Sequence, residues 1–136
     1  MALETLHIRT AAHSEFINIT SQLRALLRES GIKNGQLLLH VPHTTAGITI
    51  NEGADPTVQH DILADLDRLV PAKQGYYRHY EGNSSSHFKA SLIGPDLTVL
   101  VENGDLVLGT WQAIFFTEFD GPRNRRVLVR LVELPQ

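Results

Sequence analysis

The chain has 136 residues, a 42% hydrophobic share and a formal net charge of -3, with 12 basic against 15 acidic residues. That length suits one domain around a single core, and the charge gives no general drive toward nucleic acid or anionic lipid. Zero cysteines exclude disulfides, thiolate metal sites and a cysteine nucleophile, so any metal must sit on carboxylates or on the seven histidines.

The N-terminal stretch "MALETLHIRTAAHSE" carries Glu, His and Arg at short intervals and lacks the apolar region of a signal peptide. No apolar run approaches the ~18 residues needed to cross a bilayer. The expectation is a soluble, cytoplasmic protein.

In chain order, "LHIRTA" alternates and predicts an N-terminal strand. "TSQLRALLRESG" predicts a helix capped by Thr20 or Ser21, with Leu23, Leu26 and Leu27 at helical spacing and Gly31 as its stop. Asn34-Gly35 turns into "QLLLHV", an apolar run suited to a buried strand, which Pro42 ends. "TAGITINE" alternates Ala46, Ile48 and Ile50 against Gly47, Thr49 and Asn51, as a half-buried strand does. Asp55 caps a second helix with Pro56 at its first position, and Val58, Ile62, Leu66 and Leu69 form its apolar stripe up to Pro71.

Residues 72–86 have no period and read as a long loop, the kind that carries function in compact domains. "HFKASLIG" predicts a short helix closed by Gly94 and Pro95. Strands follow in "LTVLVE", "DLVLG" after an Asn103-Gly104 turn, "TWQAIFFTEF", and "RRVLVRLVEL" after "DGPRN". Strands dominate without βαβ alternation, which predicts an α+β fold with a mainly antiparallel or mixed sheet and two to three helices.

His43 follows Pro42 at a strand end, and His79 and His87 bracket the loop. Three neutral imidazoles on separate elements make an open zinc site, although no HxH or HExxH signature accompanies them. The alternative is three histidines satisfied by ordinary hydrogen bonds. Glu52 has no capping role and is a candidate base or ligand, whereas Asp61 reads more simply as a solvated helix carboxylate. Lys89 falls near the start of the short helix, where free N–H groups favour an anion, and Arg123 offers a bidentate phosphate contact. Trp111 reads as core or as a ligand wall. Ser84, Ser85 and Ser86 lack a nucleophile elbow, so a serine hydrolase is discounted.

Together "HTTAGITINEGADPTVQHD", "HYEGNSSSHFKASLIG" and "LGTWQAIFFTEFDGPRNRR" resemble the YjbQ family, described as secondary thiamine-phosphate synthase enzymes. The resemblance runs from about Arg9 to Val132 with the motifs in the same order. It implies an α+β subunit assembled as a homotrimer, with a histidine-rich metal site near the subunit interface. Carried over, His43, His79 and His87 are the metal ligands, with zinc the expected divalent ion. Glu52, Asp61 and Lys89 fall on catalytic positions, and Thr44, Thr45, Asn51, Lys89, Trp111, Gln112 and Arg123 on positions contacting a phosphorylated substrate. Ser86 departs from the family's alanine. The activity implied is joining of hydroxymethylpyrimidine diphosphate and thiazole phosphate, with a phosphoester hydrolase or a non-catalytic trimeric binder as alternatives.

Overall fold

A computed structural model describes residues 3–135 of the chain. The elements run β1 (Leu3–Arg9), β2 (Glu15–Asn18), α1 (Thr20–Ser30), β3 (Gly35–His40), β4 (Ala46–Glu52) and α2 (Pro56–Leu69). They continue α3 (Ser84–Ile93), β5 (Asp96–Glu102), β6 (Asp105–Leu106), β7 (Gln112–Glu118) and β8 (Asn124–Glu133). The strands form two sheets, one of five in the order β1-β8-β3-β5-β6 and one of three in the order β2-β7-β4. Every pairing is antiparallel. The expected α+β domain is therefore present, with its strands divided between two sheets and none of them parallel.

The core lies between the sheets. Leu37, Leu39, Val99, Val127 and Val129 from the larger sheet meet Ile48, Ile114 and Phe116 from the smaller, with Leu23 and Leu27 of α1 closing one side. Alternation along each strand selects these residues, because successive side chains point to opposite faces. A Cβ on Gly35 would lie 1.9 Å from the Val132 carbonyl oxygen, so the close approach of β3 to β8 requires glycine there. Asn103 and Gly104 both take positive φ (52° and 78°), as the tight turn between β5 and β6 demands.

Several expectations change. β3 alternates rather than being buried on both faces, and Leu38 is 37% exposed, because nothing among the described residues covers the outer face of the larger sheet at that point. β2 has no counterpart in the sequence reading. It is four residues long, and its edge pairing with β7 supplies what its own pattern does not. Helix α1 has Ile19 at its cap position with no side-chain cap; Thr20 is already helical, and its hydroxyl accepts from the Ile114 N–H at 2.9 Å. β6 is only two residues long. On α2 only Leu66 is buried and Leu69 is 74% exposed, because the helix packs on a small cluster with Ala90 and Phe119 and its last turn runs past it.

α3 begins at Ser84, three residues before the sequence reading starts it, so the loop after α2 is shorter. This moves Lys89 from the helix start into its second turn. No helix among the described residues is long and apolar enough to cross a membrane.

Candidate functional site

β4 and β7 pair along their whole length, Ala46 opposite Glu118 at one end and Glu52 opposite Gln112 at the other. The loop from Val41 to Thr45 enters β4 at the first end, where the turn of residues 120–123 leaves β7 for β8. The chain between α2 and α3 reaches the same place through a turn at Gly82, whose N–H bonds the His79 carbonyl at 3.1 Å. A cleft of about 410 Å³ opens there, lined by His43, Thr44, His79, Glu81, Asn83 and His87, with Thr45, Asp120, Arg123 and Arg125 completing it. Past His87 it adjoins a depression of about 490 Å³ walled by Tyr77 and Phe88.

Two stretches distant in sequence, the loop before β4 and the segment running from His79 into α3, thus bring the three nominated histidines to one cleft. The rings of His79 and His87 stand edge to face, 5.3 Å between centroids. His43 Nε2 accepts the Arg126 backbone N–H at 3.0 Å. Partial burial, then the positive charges of Arg125 and Arg126, hold the His43 ring below the usual histidine range, so it is neutral near pH 7. Glu81 lies 3.9 Å from His79 Nε2.

The floor of the cleft is a buried ion pair. Glu118 is fully buried on β7, in phase with the core residues Ile114 and Phe116, and Arg125 is in phase with Val127 and Val129 on β8. Arg125 reaches Glu118 through Nε (2.8 Å) and Nη2 (2.5 Å), and Nη2 also donates to the Thr45 hydroxyl at 2.8 Å. Thr10 donates a further bond to Glu118 at 2.8 Å. Burial pushes the Glu118 carboxyl up, but bonds from Arg125, Thr10 and the Asp120 N–H, with the guanidinium charge, outweigh it and hold the group ionised. Sequence reading missed this pair, although charges standing in phase with an inward apolar stripe were the visible signal.

Arg123 is clamped beside the cleft by Asp120, Nε to the backbone carbonyl at 2.8 Å and Nη2 to the carboxylate at 3.0 Å. Thr44 and Thr45 line the cleft, and the Thr45 hydroxyl accepts from Arg125. Ser86 donates its hydroxyl to the Phe119 carbonyl at 2.6 Å, which ties α3 to the end of β7.

The other nominated residues are elsewhere. Lys89 is 5% exposed and its ammonium pairs with Asp67 of α2, so it does not face an anion at a helix start. Asp61 is exposed on α2 and bonds neighbouring His60 at 3.0 Å. Glu52 accepts from the Ala54 N–H at 2.8 Å, and Asn51 from the Glu52 N–H at 2.7 Å, both local turn contacts. Trp111 is 64% exposed and shares a separate depression with Gln112, Gly53 and Arg24. At ~3.3 Å per residue, the length of β4 puts this group roughly 20 Å from the histidines.

A divalent ion fits the cleft in kind. Imidazoles suit zinc, and the neutral form of His43 is the form that ligates. Asn83 Oδ1 is also buried without a hydrogen-bond partner among the described residues. The fit is one of donor type and location, since no three His, Asp or Glu side chains among the described residues close on one point and His43 Nε2 is engaged by Arg126.

A family model described as UPF0047 protein YjbQ-like matches residues 4–134. UPF0047 protein YugU of Bacillus subtilis is 49% identical over 130 residues, covering 96% of this chain and 98% of its own. UPF0047 protein MJ1081 of Methanocaldococcus jannaschii is 48% identical, covering 92% and 90%. Among solved structures, an uncharacterized conserved protein of the yjbq/upf0047 family from Clostridium acetobutylicum superposes with a TM-score of 0.92 at 50% identity, covering 95% of this chain and 99% of that one. A YbjQ-like protein of unknown function from Sulfolobus solfataricus gives 0.92 at 33% identity, covering 98% and 97%.

Proposed function

The chain belongs to the YjbQ-like UPF0047 family, and we propose that its histidine cleft takes a divalent cation, zinc by preference, and a small phosphorylated metabolite. The observation that carries this reading is the meeting of His43, His79 and His87 in a cleft whose arginines are already neutralised. Glu118 neutralises Arg125, Asp120 neutralises Arg123, and Glu81 is left over. An anionic ligand therefore needs added positive charge, and the imidazoles stand where a cation would supply it.

In this reading His43, His79 and His87 hold the ion, which when bound supplies Lewis-acid stabilisation of phosphate oxygens. Arg123, fixed by Asp120, offers the outer edge of its guanidinium to the same anion. Tyr77 and Phe88 give a heteroaromatic ring an apolar wall.

The reaction proposed is formation of thiamine phosphate. The thiazole nitrogen bonds the pyrimidine methylene carbon as that carbon's bond to the diphosphate oxygen breaks, and pyrophosphate leaves. The step calls for charge stabilisation at the leaving group rather than a strong base. That neither Glu52 nor Asp61 lines the cleft is thus no obstacle. Assembly as a homotrimer belongs to the same proposal, and it offers a route by which Asn51, Glu52, Trp111 and Gln112 of a second copy reach the cleft.

One observation favours a second reading. Glu81 stands 3.9 Å from His79 Nε2, and in this reading it takes the proton from water that hydrolysis of a phosphate ester requires. A non-catalytic binder is the third.

The test is thiamine-phosphate formation from the two phosphorylated precursors, with intact protein, chelator-treated protein with zinc restored, and His87→Ala. Product that depends on both zinc and His87 supports the transferase. Phosphate released from an ester panel without thiamine phosphate moves the reading to hydrolysis. Saturable phosphate binding with no turnover leaves a binder.

A further inference from the structure

We propose that the outer face of the larger sheet is covered by a second copy of this chain, the basic half of one face lying on the acidic half of the next. In β8, β3 and β5 the side chains that alternate with the core residues point outward. Among them Leu38 and Leu100 are 37% and 56% exposed, and Leu128 and Val132 are half-buried. A groove of about 710 Å³, lined in part by Leu38, Thr98, Leu128 and Arg130, lies on this face. Apolar side chains gathered on one face, rather than scattered singly, mark a contact surface.

The charges on this face are sorted by strand, and the sorting selects the occupant. β1 and β8 present His7, Arg9, Arg126 and Arg130 outward and exposed, whereas β5, beyond β3, presents Asp96 and Glu102. None of Arg126, Arg130, Asp96 and Glu102 has an ion-pair partner among the described residues. A face with opposite charges on its two halves is complementary to itself. A partner surface or a lipid layer of one sign would meet repulsion over half of it.

The strand register supports the match. Leu38 stands opposite Arg130 on one side and Thr98 on the other, and Gln36 opposite Val132 and Leu100. Rotation about an axis along β3 keeps these heights. It sets Val132 on Leu100 of the next copy and Arg130 on Thr98, with Asp96 one outward position away, while Leu38 of each copy faces the axis. An axis across the strands would instead lay β8 on β8 and arginine against arginine. At ~4.8 Å between strands and ~3.3 Å per residue, the face covers roughly 500 Å² in projection. Side-chain relief raises this toward the ~800 Å² that each partner of a standard interface contributes. The contact closes as a pair or as a ring of three. The ring is the homotrimer of the reading above, so the inference rests on that assembly and is independent of what the cleft holds.

The test is the mass in solution, by sedimentation equilibrium, of the wild type, Arg130→Glu, Asp96→Arg and the double variant. The wild type is expected at the three-chain mass. Each single variant sets like charges together and is expected to weaken association at least about 10-fold, and the double variant, with the signs exchanged, to restore it. A two-chain mass with the same pattern supports the contact as a pair and removes the ring. Single variants that assemble as the wild type does, or a double variant that stays dissociated, overturn the inference and leave any trimer to another face. A single-chain wild type overturns the trimer and the inference together, and the metal-and-phosphate reading of the cleft stands. Should the charge variants not fold, Leu38→Cys supplies the only thiol in the chain. A short bismaleimide is expected to link copies through it, and failure to do so in the assembled protein overturns the inference.

Discussion

The two ends of the β4–β7 ladder differ in kind although one strand pair builds both. At the Ala46–Glu118 end, side chains from distant segments converge and the floor is a buried ion pair. At the Glu52–Gln112 end, polar side chains bond their own neighbours: Glu52 to Ala54, Asn51 to Glu52, Gln112 to Gly109. Residues adjacent in the motif "HTTAGITINE" are divided between these ends. Continuity of a motif therefore does not make a site, because a strand carries its two termini apart by its own length.

The contrast is broken most sharply at Glu118. Glu118→Ala strands Arg125 in the core and is expected to cost about 3–5 kcal/mol of unfolding free energy. Glu52→Ala, at the other end, should stay within about 0.5 kcal/mol. Denaturant unfolding of both variants reads the difference, and similar costs would mean the ends are alike.

Acid sharpens the same comparison. Glu118 and Asp120 both have folded pKa values below the ordinary carboxylate range. Their contribution is therefore complete above the unfolded value near ~4 and is lost as pH falls through the lower folded values. Wild-type stability should drop below about pH 4 more steeply than that of Glu118→Gln, which lacks one of the two groups. Equal slopes would remove Glu118 from the account.

A small effect is also expected at Lys89. Its ammonium is buried against exposed Asp67, and methionine fills a similar volume without a charge to desolvate. Lys89→Met should change stability by no more than about 1 kcal/mol. It should also leave phosphate affinity at the cleft unchanged, where a tenfold loss would return Lys89 to the site.

What was legible in the sequence followed from local rules. Period-two alternation located β1 and β4; Asp55 and Pro56 marked the start of α2; Gly31 and Gly94 marked two helix ends. The three histidines were also legible as candidates, because imidazole is the metal-ligating chemistry left to a chain without cysteine. Their meeting at one cleft, the separation of Lys89, Glu52 and Trp111 from it, and the addition of Asn83, Glu118 and Arg125 were decided by tertiary structure alone. Residue type and spacing fix which face of an element a side chain occupies, but which ends of which elements meet depends on how two sheets and three helices bury their apolar faces together.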